Sequence, residues 1–110
     1  MTRAAPIQID VLTFAGCPNA ASAVELVQRV TADAGVAAEL REIEVESSEQ
    51  AERLRFLGSP TIRVDGRDVE PGADARGDFA FSCRVYRTDS GLAGQPDARW
   101  LRDALVSGRD

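Results

Sequence analysis

The 110-residue chain contains no histidine, and all 13 of its basic residues are arginine, so lysine is missing as well. Without histidine there is no Cys-His or Ser-His-Asp arrangement, and no zinc site with an imidazole ligand. The commonest general base and the commonest metal ligand are lost together. The two cysteines, Cys17 and Cys83, are too few for an all-thiolate zinc site or an iron–sulfur cluster within one chain. They are also too few for the disulfide framework of a small secreted domain. No apolar run approaches the length of a membrane-spanning helix, and Gln8 and Asp10 interrupt the N-terminal stretch that a signal peptide would keep apolar. The expectation is a cytoplasmic protein with reduced thiols and no membrane partner. A net charge of -5 without a clustered basic face argues against nucleic acid as a partner.

What is present suffices for one domain. Apolar residues make up 44% of the chain, too many for a disordered protein. The length allows a modest core without metal or disulfide support. No repeat, low-complexity tract or linker divides the chain, so residues 1–110 read as a single domain.

Periodicity then orders the elements. Residues 7–14, IQIDVLTF, alternate at Ile7, Ile9 and Val11 and predict a strand broken at Gly16. From Pro18 the period becomes helical, with Ala23, Val27, Val30 and Ala34 on one stripe and Leu26 beside it. Pro18 suits the first turn and Gly35 the stop. A second strand is expected over about 37–45. Ser47 and Gln50 then have capping-box spacing, for a helix that buries Ala51, Leu54 and Leu57 and stops at Gly58. Ile62 and Val64 alternate in a third strand, Asp65-Gly66 is a two-residue hairpin signal, and Val69 continues the return strand before Pro71. Residues 72–77 read as loop. FAFSCRVY, residues 79–86, reads as a strand with Phe79, Phe81, Cys83 and Val85 packed on the core, and 88–96 reads as another loop. Asp97 can cap a last helix that turns Trp100, Leu101, Ala104 and Leu105 inward and closes at Gly108. The order β-α-β-α-β-β-α, with an extra segment at about 72–96 before the last helix, calls for an α/β fold with a mixed four-stranded sheet and helices on both faces.

Two motifs stand out in that order, GCPN at 16–19 and GSPT at 58–61. With them the chain resembles the thioredoxin fold in its compact, glutaredoxin-like form, over residues 7–70 and the last helix but not over 72–96. The longer run FLGSPTIRVDG also resembles small bacterial thioredoxin-like proteins, some of them named alkylmercury lyase-like. The resemblance puts Cys17 at the family's active-site Cys-x-x-Cys, as nucleophile. It implies that Pro60 is cis, that the Ser59 backbone pairs with an extended substrate, and that Pro18, Ser59, Pro60 and Thr61 line the substrate side. The family's second cysteine falls on Ala20. The site is therefore a monothiol, or it recruits Cys83 as a resolving partner. The implied function is thiol–disulfide exchange with a protein or small-molecule disulfide, glutathione included, without cofactor or metal.

Each of these residues also has a plainer reading. Cys17 gains thiolate character if it caps the helix, where free N–H groups of Asn19, Ala20 and Ala21 favour negative charge; otherwise it is a small buried hydrophobe. Cys83 is either an inert thiol on a core-facing strand or the resolving partner, which needs Cα atoms within about 7 Å. Asp10 is expected on the exposed side of its strand, opposite Val11, the alternative being a proton-transfer group under the sheet. Arg84 and Arg87 are expected at the surface, the alternative being a carboxylate receptor beside Cys83. The glutamates between 39 and 52, interleaved with Arg41, Arg53 and Arg55, read as a solvated face. Two other functions remain open: a soft-metal site in which two thiolates hold mercury(II) or copper(I), and a thioredoxin-like binding module without chemistry.

Overall fold

In a computed structural model describing residues 6–107, the first strand, β1 (Ile7–Thr13), decides the architecture. It buries Ile7, Ile9 and Val11 on one face and Asp10 and Leu12 on the other. A strand covered on both faces belongs in the middle of a sheet. β2 (Ala38–Glu44) runs parallel to it on one side, and β3 (Thr61–Val64) runs antiparallel on the other. β4 (Arg67–Asp68) pairs with β3, giving the order β2-β1-β3-β4. Asp65 and Gly66 join β3 to β4 with φ of 50° and 87°, the two positive values that a two-residue hairpin turn needs.

α1 (Ala20–Ala34) and α3 (Ala98–Ser107) cover one face, where Ala23, Leu26, Val27, Val30, Leu101 and Leu105 pack against Ile7, Ile9, Val11, Ile62 and Val64. α2 (Ser48–Arg53) serves the other face, where Ala51 and Phe56 cluster with Leu12 and Val45. The chain is thus a mixed α/β protein with a four-stranded mixed sheet and three helices. Asp97 caps α3 as expected, its Oδ1 accepting the Arg99 N–H at 2.9 Å. Gly108 lies outside the described residues. Among the described residues no helix is long and apolar enough to cross a membrane.

Local expectations fail in four places, each for a physical reason. α2 starts as its capping box directs, with Ser47 Oγ accepting the Gln50 N–H at 3.1 Å, but it ends at Arg53 and not near Gly58. Arg55 turns to φ 56°, and Arg63 reaches across from β3 to donate to the Leu54 and Arg55 carbonyls at 2.6 and 3.1 Å. That early stop lets Phe56 and Leu57 turn inward. Asp10 is buried and not exposed, because a central strand has no solvent side; it faces Arg41 in register on β2 and takes a two-pronged bond from it, both at 3.1 Å.

The remaining two lie in the extra segment. After a 3₁₀ turn at Ala73–Ala75, residues 76–85 form no regular strand, with only an isolated bridge at Cys83. A short hairpin, β5 (Tyr86–Thr88) and β6 (Gly91–Ala93), then stands where a loop was expected. Burial alternates only over residues 83–86 of FAFSCRVY, and there the phase is inverted. Phe81, Cys83 and Val85 face solvent, while Arg84 and Tyr86 are buried. A period of two leaves two faces to choose from, and apolarity points to the wrong one here.

Candidate functional site

Register brings two loops to one end of the sheet. Leu12, near the end of β1, pairs with Thr61 at the start of β3, so the turn after β1 and the segment before β3 emerge together. The first carries Cys17 and the second carries Ser59 and Pro60.

Cys17 sits in a tight turn. Its N–H donates to the Phe14 carbonyl at 3.2 Å, and its carbonyl accepts the Ala20 N–H at 3.3 Å. α1 begins at Ala20 with Asn19 in the cap position, so Cys17 precedes the cap by two residues and does not fill it. One of the free N–H groups expected to favour a thiolate is thereby taken by the backbone of Cys17 itself. The residue is 9% exposed, and Pro18 beside it is exposed. The Asn19 carbonyl accepts from Gln95 Nε2 at 2.9 Å, which ties the approach to α3 onto the start of α1.

The Ser59–Pro60 bond is cis. Ser59 donates its N–H to the Ser82 carbonyl at 2.8 Å and accepts the Arg84 N–H at 2.9 Å, a parallel bridge in which Cys83 is its direct partner. The chain's own segment thus fills both backbone groups that the resemblance reserves for an extended substrate. Residues 79–86 act as a strap across this loop. Ala80 donates to the Phe56 carbonyl at 2.9 Å, and the Phe81 ring meets Phe14 edge-on at 5.4 Å, next to the Cys17 turn.

The side chains of Arg84 and Tyr86, with one glycine, hold the strap down. The Arg84 side chain is 1% exposed. It donates to both Asp68 oxygens at 2.7 and 3.1 Å, to Glu70 at 2.8 Å and to the Thr61 hydroxyl at 3.0 Å, and it lies 4.4 Å from the Tyr86 ring centre. Burial works against its charge, but the two carboxylates outweigh burial and keep its pKa above the ordinary arginine value. The Thr61 hydroxyl donates to the Gly58 carbonyl at 2.6 Å, and the Tyr86 hydroxyl donates to the Pro60 carbonyl. Burial raises the Tyr86 pKa above that of an ordinary phenol, against the opposing pull of Arg84. Gly58 has φ 119°, and a Cβ there would stand 2.9 Å from the Arg84 Cβ. Only glycine allows so close an approach.

Ser59, Pro60 and Thr61 are therefore buried beneath the strap, whereas Cys83 is exposed on it. Both cysteines are free thiols. Ser59 Oγ is buried with no hydrogen-bond partner among the described residues. Arg87 is exposed as expected, but Arg84 is not a surface residue; its two terminal nitrogens are engaged by Asp68, Glu70 and Thr61, while its buried Nε has no partner among the described residues. Among the described residues no group of three or more His, Cys, Asp or Glu side chains could hold a metal ion. An open groove of about 420 Å³ beside β4 and α3, lined by Asp68, Glu70, Trp100 and Asp103 among others, includes neither cysteine. Sequence reasoning missed Gly58, Asp68, Glu70 and Tyr86 as the fastening of this site. The signal available was the other phase of the same alternation at Arg84 and Tyr86, with acidic residues upstream to pair with the arginine.

No protein-family model, curated protein or solved structure matches this chain, and its chemistry has to be reasoned from its own atoms.

Proposed function

We propose that the chain is a thioredoxin-like thiol–disulfide exchange protein whose two working sulfurs are Cys17 and Cys83. The observation that carries this reading is the bridge between Cys83 and Ser59, immediately before cis-Pro60, at the sheet end from which Cys17 emerges. Ala20 offers no sulfur where a local pair would need one, and the strap brings the second cysteine to that end of the molecule instead. In one cycle a thiolate attacks an external disulfide and releases one thiol. The second cysteine then attacks the mixed disulfide and releases the other, leaving a Cys17–Cys83 disulfide that two external thiols reduce again.

Mild oxidation with glutathione disulfide, followed by peptide mass spectrometry without reduction, tests this directly. A Cys17–Cys83 linked peptide that disappears on reduction, together with turnover of the disulfide, is the expected result. No link, but uptake of one mercury(II) per chain that needs both thiols, would favour the soft-metal site. Neither result would leave a binding module.

A further inference from the structure

We infer that Cys83, and not Cys17, is the sulfur that first receives an external disulfide, with Cys17 as the internal thiol that resolves it; this rests on the exchange reading above. Three observations lead there. Cys17 is 9% exposed within its turn, whereas Cys83 is exposed on the strap. The backbone groups of Ser59, which could align an incoming chain over Cys17, are both spent on Ser82 and Arg84. The strap is also no loose flap, since the buried Arg84 and Tyr86 follow Cys83 directly and fasten the segment to Asp68, Glu70, Thr61 and Pro60. A substrate thus meets Cys83 as an exposed thiol on a fastened segment.

The same arrangement selects a substrate class. With no free backbone partner at Ser59, an extended polypeptide gains no strand pairing here, and low-molecular-weight disulfides are the substrates that lose nothing. The Cys83 thiolate attacks one sulfur of R–S–S–R, forming Cys83–S–S–R and releasing RS⁻. The Cys17 thiolate then attacks Cys83 Sγ, releasing the second RS⁻ and closing the internal disulfide. The protein is oxidised by two electrons and the small disulfide is reduced to two thiols.

The test uses glutathione disulfide with Cys17→Ser and Cys83→Ser, following adducts by intact mass. Cys83 in the first variant is expected to form the mixed disulfide at least about tenfold faster than Cys17 in the second. Because a buried serine at 17 could disturb folding, timed alkylation of the unaltered protein with iodoacetamide supplies a second measurement, and Cys83 is expected to label first. Equal rates, faster reaction at Cys17 or an inert Cys83 would overturn the inference. A persistent Cys83 adduct in the unaltered protein, never passed to Cys17, would leave the order standing and remove the two-cysteine cycle.

Discussion

Ile9 in the sheet and Arg84 in the strap are about equally hidden from water, 0% and 3% exposed. What surrounds them differs in kind. Ile9 lies among apolar side chains of β1, β3, α1 and α3, where stabilisation is non-directional and follows the area removed from water. Arg84 is tolerable only because two carboxylates, a hydroxyl and a ring meet it from fixed directions. A hydrophobic frame yields gradually as methylenes are removed. A strap fastened by one charge holds or fails as a unit.

The sharpest way to break this contrast is Arg84→Met, which leaves Asp68 and Glu70 without their buried cation. Removing one partner of a buried pair costs about 3–5 kcal/mol, whereas Ile9→Val is expected to cost about 0.5–1.5 kcal/mol. Urea unfolding gives both totals, and amide exchange at Ser59 and Arg84 locates the first. If Arg84→Met costs no more than Ile9→Val, the ion pairs do not fasten the strap.

Tyr86 comes next. Tyr86→Phe leaves the Pro60 carbonyl without its donor, a loss of about 1–3 kcal/mol. Folding favours the neutral phenol, so its contribution is complete below the unfolded value near 10 and is lost as pH rises beyond it. The unaltered protein should therefore lose stability above about pH 10, and Tyr86→Phe should lose less over that range. Tyr86 is the only tyrosine, so tyrosinate absorbance reads the site without interference. Ionisation near the ordinary phenol value while the protein is folded would contradict a buried hydroxyl.

The smallest effect is expected at Asp78, just ahead of the strap. Arg76 bonds to it at 2.6 and 3.0 Å and holds its pKa down at about 2, while also reaching Glu70. Because the folded value is depressed, the contribution is present above about pH 4 and fades as pH falls towards 2. Asp78→Asn should lower the melting temperature slightly at pH 7 and by less near pH 2. A difference undiminished at pH 2 would assign the effect to something other than this ion pair.

The frame was largely legible because its signals are local. Asp65-Gly66, the Ser47 and Gln50 cap, and the alternation of Ile7, Ile9 and Val11 each declare themselves within a few residues. Cys17, Ser59 and Pro60 could be grouped from two short motifs. The strap could not be read this way. Arg84 finds its counter-charges 16 and 14 residues upstream, and without them a buried arginine beside an exposed phenylalanine reads as an error. Asp10 misled for a related reason, since its partner Arg41 lies on a different strand. The early end of α2 depends on Arg63, which no pattern within the helix announces. Where burial was apolar the pattern named the face, and where it was ionic the partner had to be seen.

The two outer strands of the sheet bear on how the molecule meets others of its kind. On β2, Glu39, Arg41, Glu42 and Glu44 are exposed, with only Leu40 and Ile43 half-buried. On the opposite rim β4 is two residues long. An arriving strand meets a palisade of charge on one side and a rail too short to grip on the other. The sheet is thus guarded at both margins against growing by the addition of a neighbour, by repulsion along β2 and by brevity at β4.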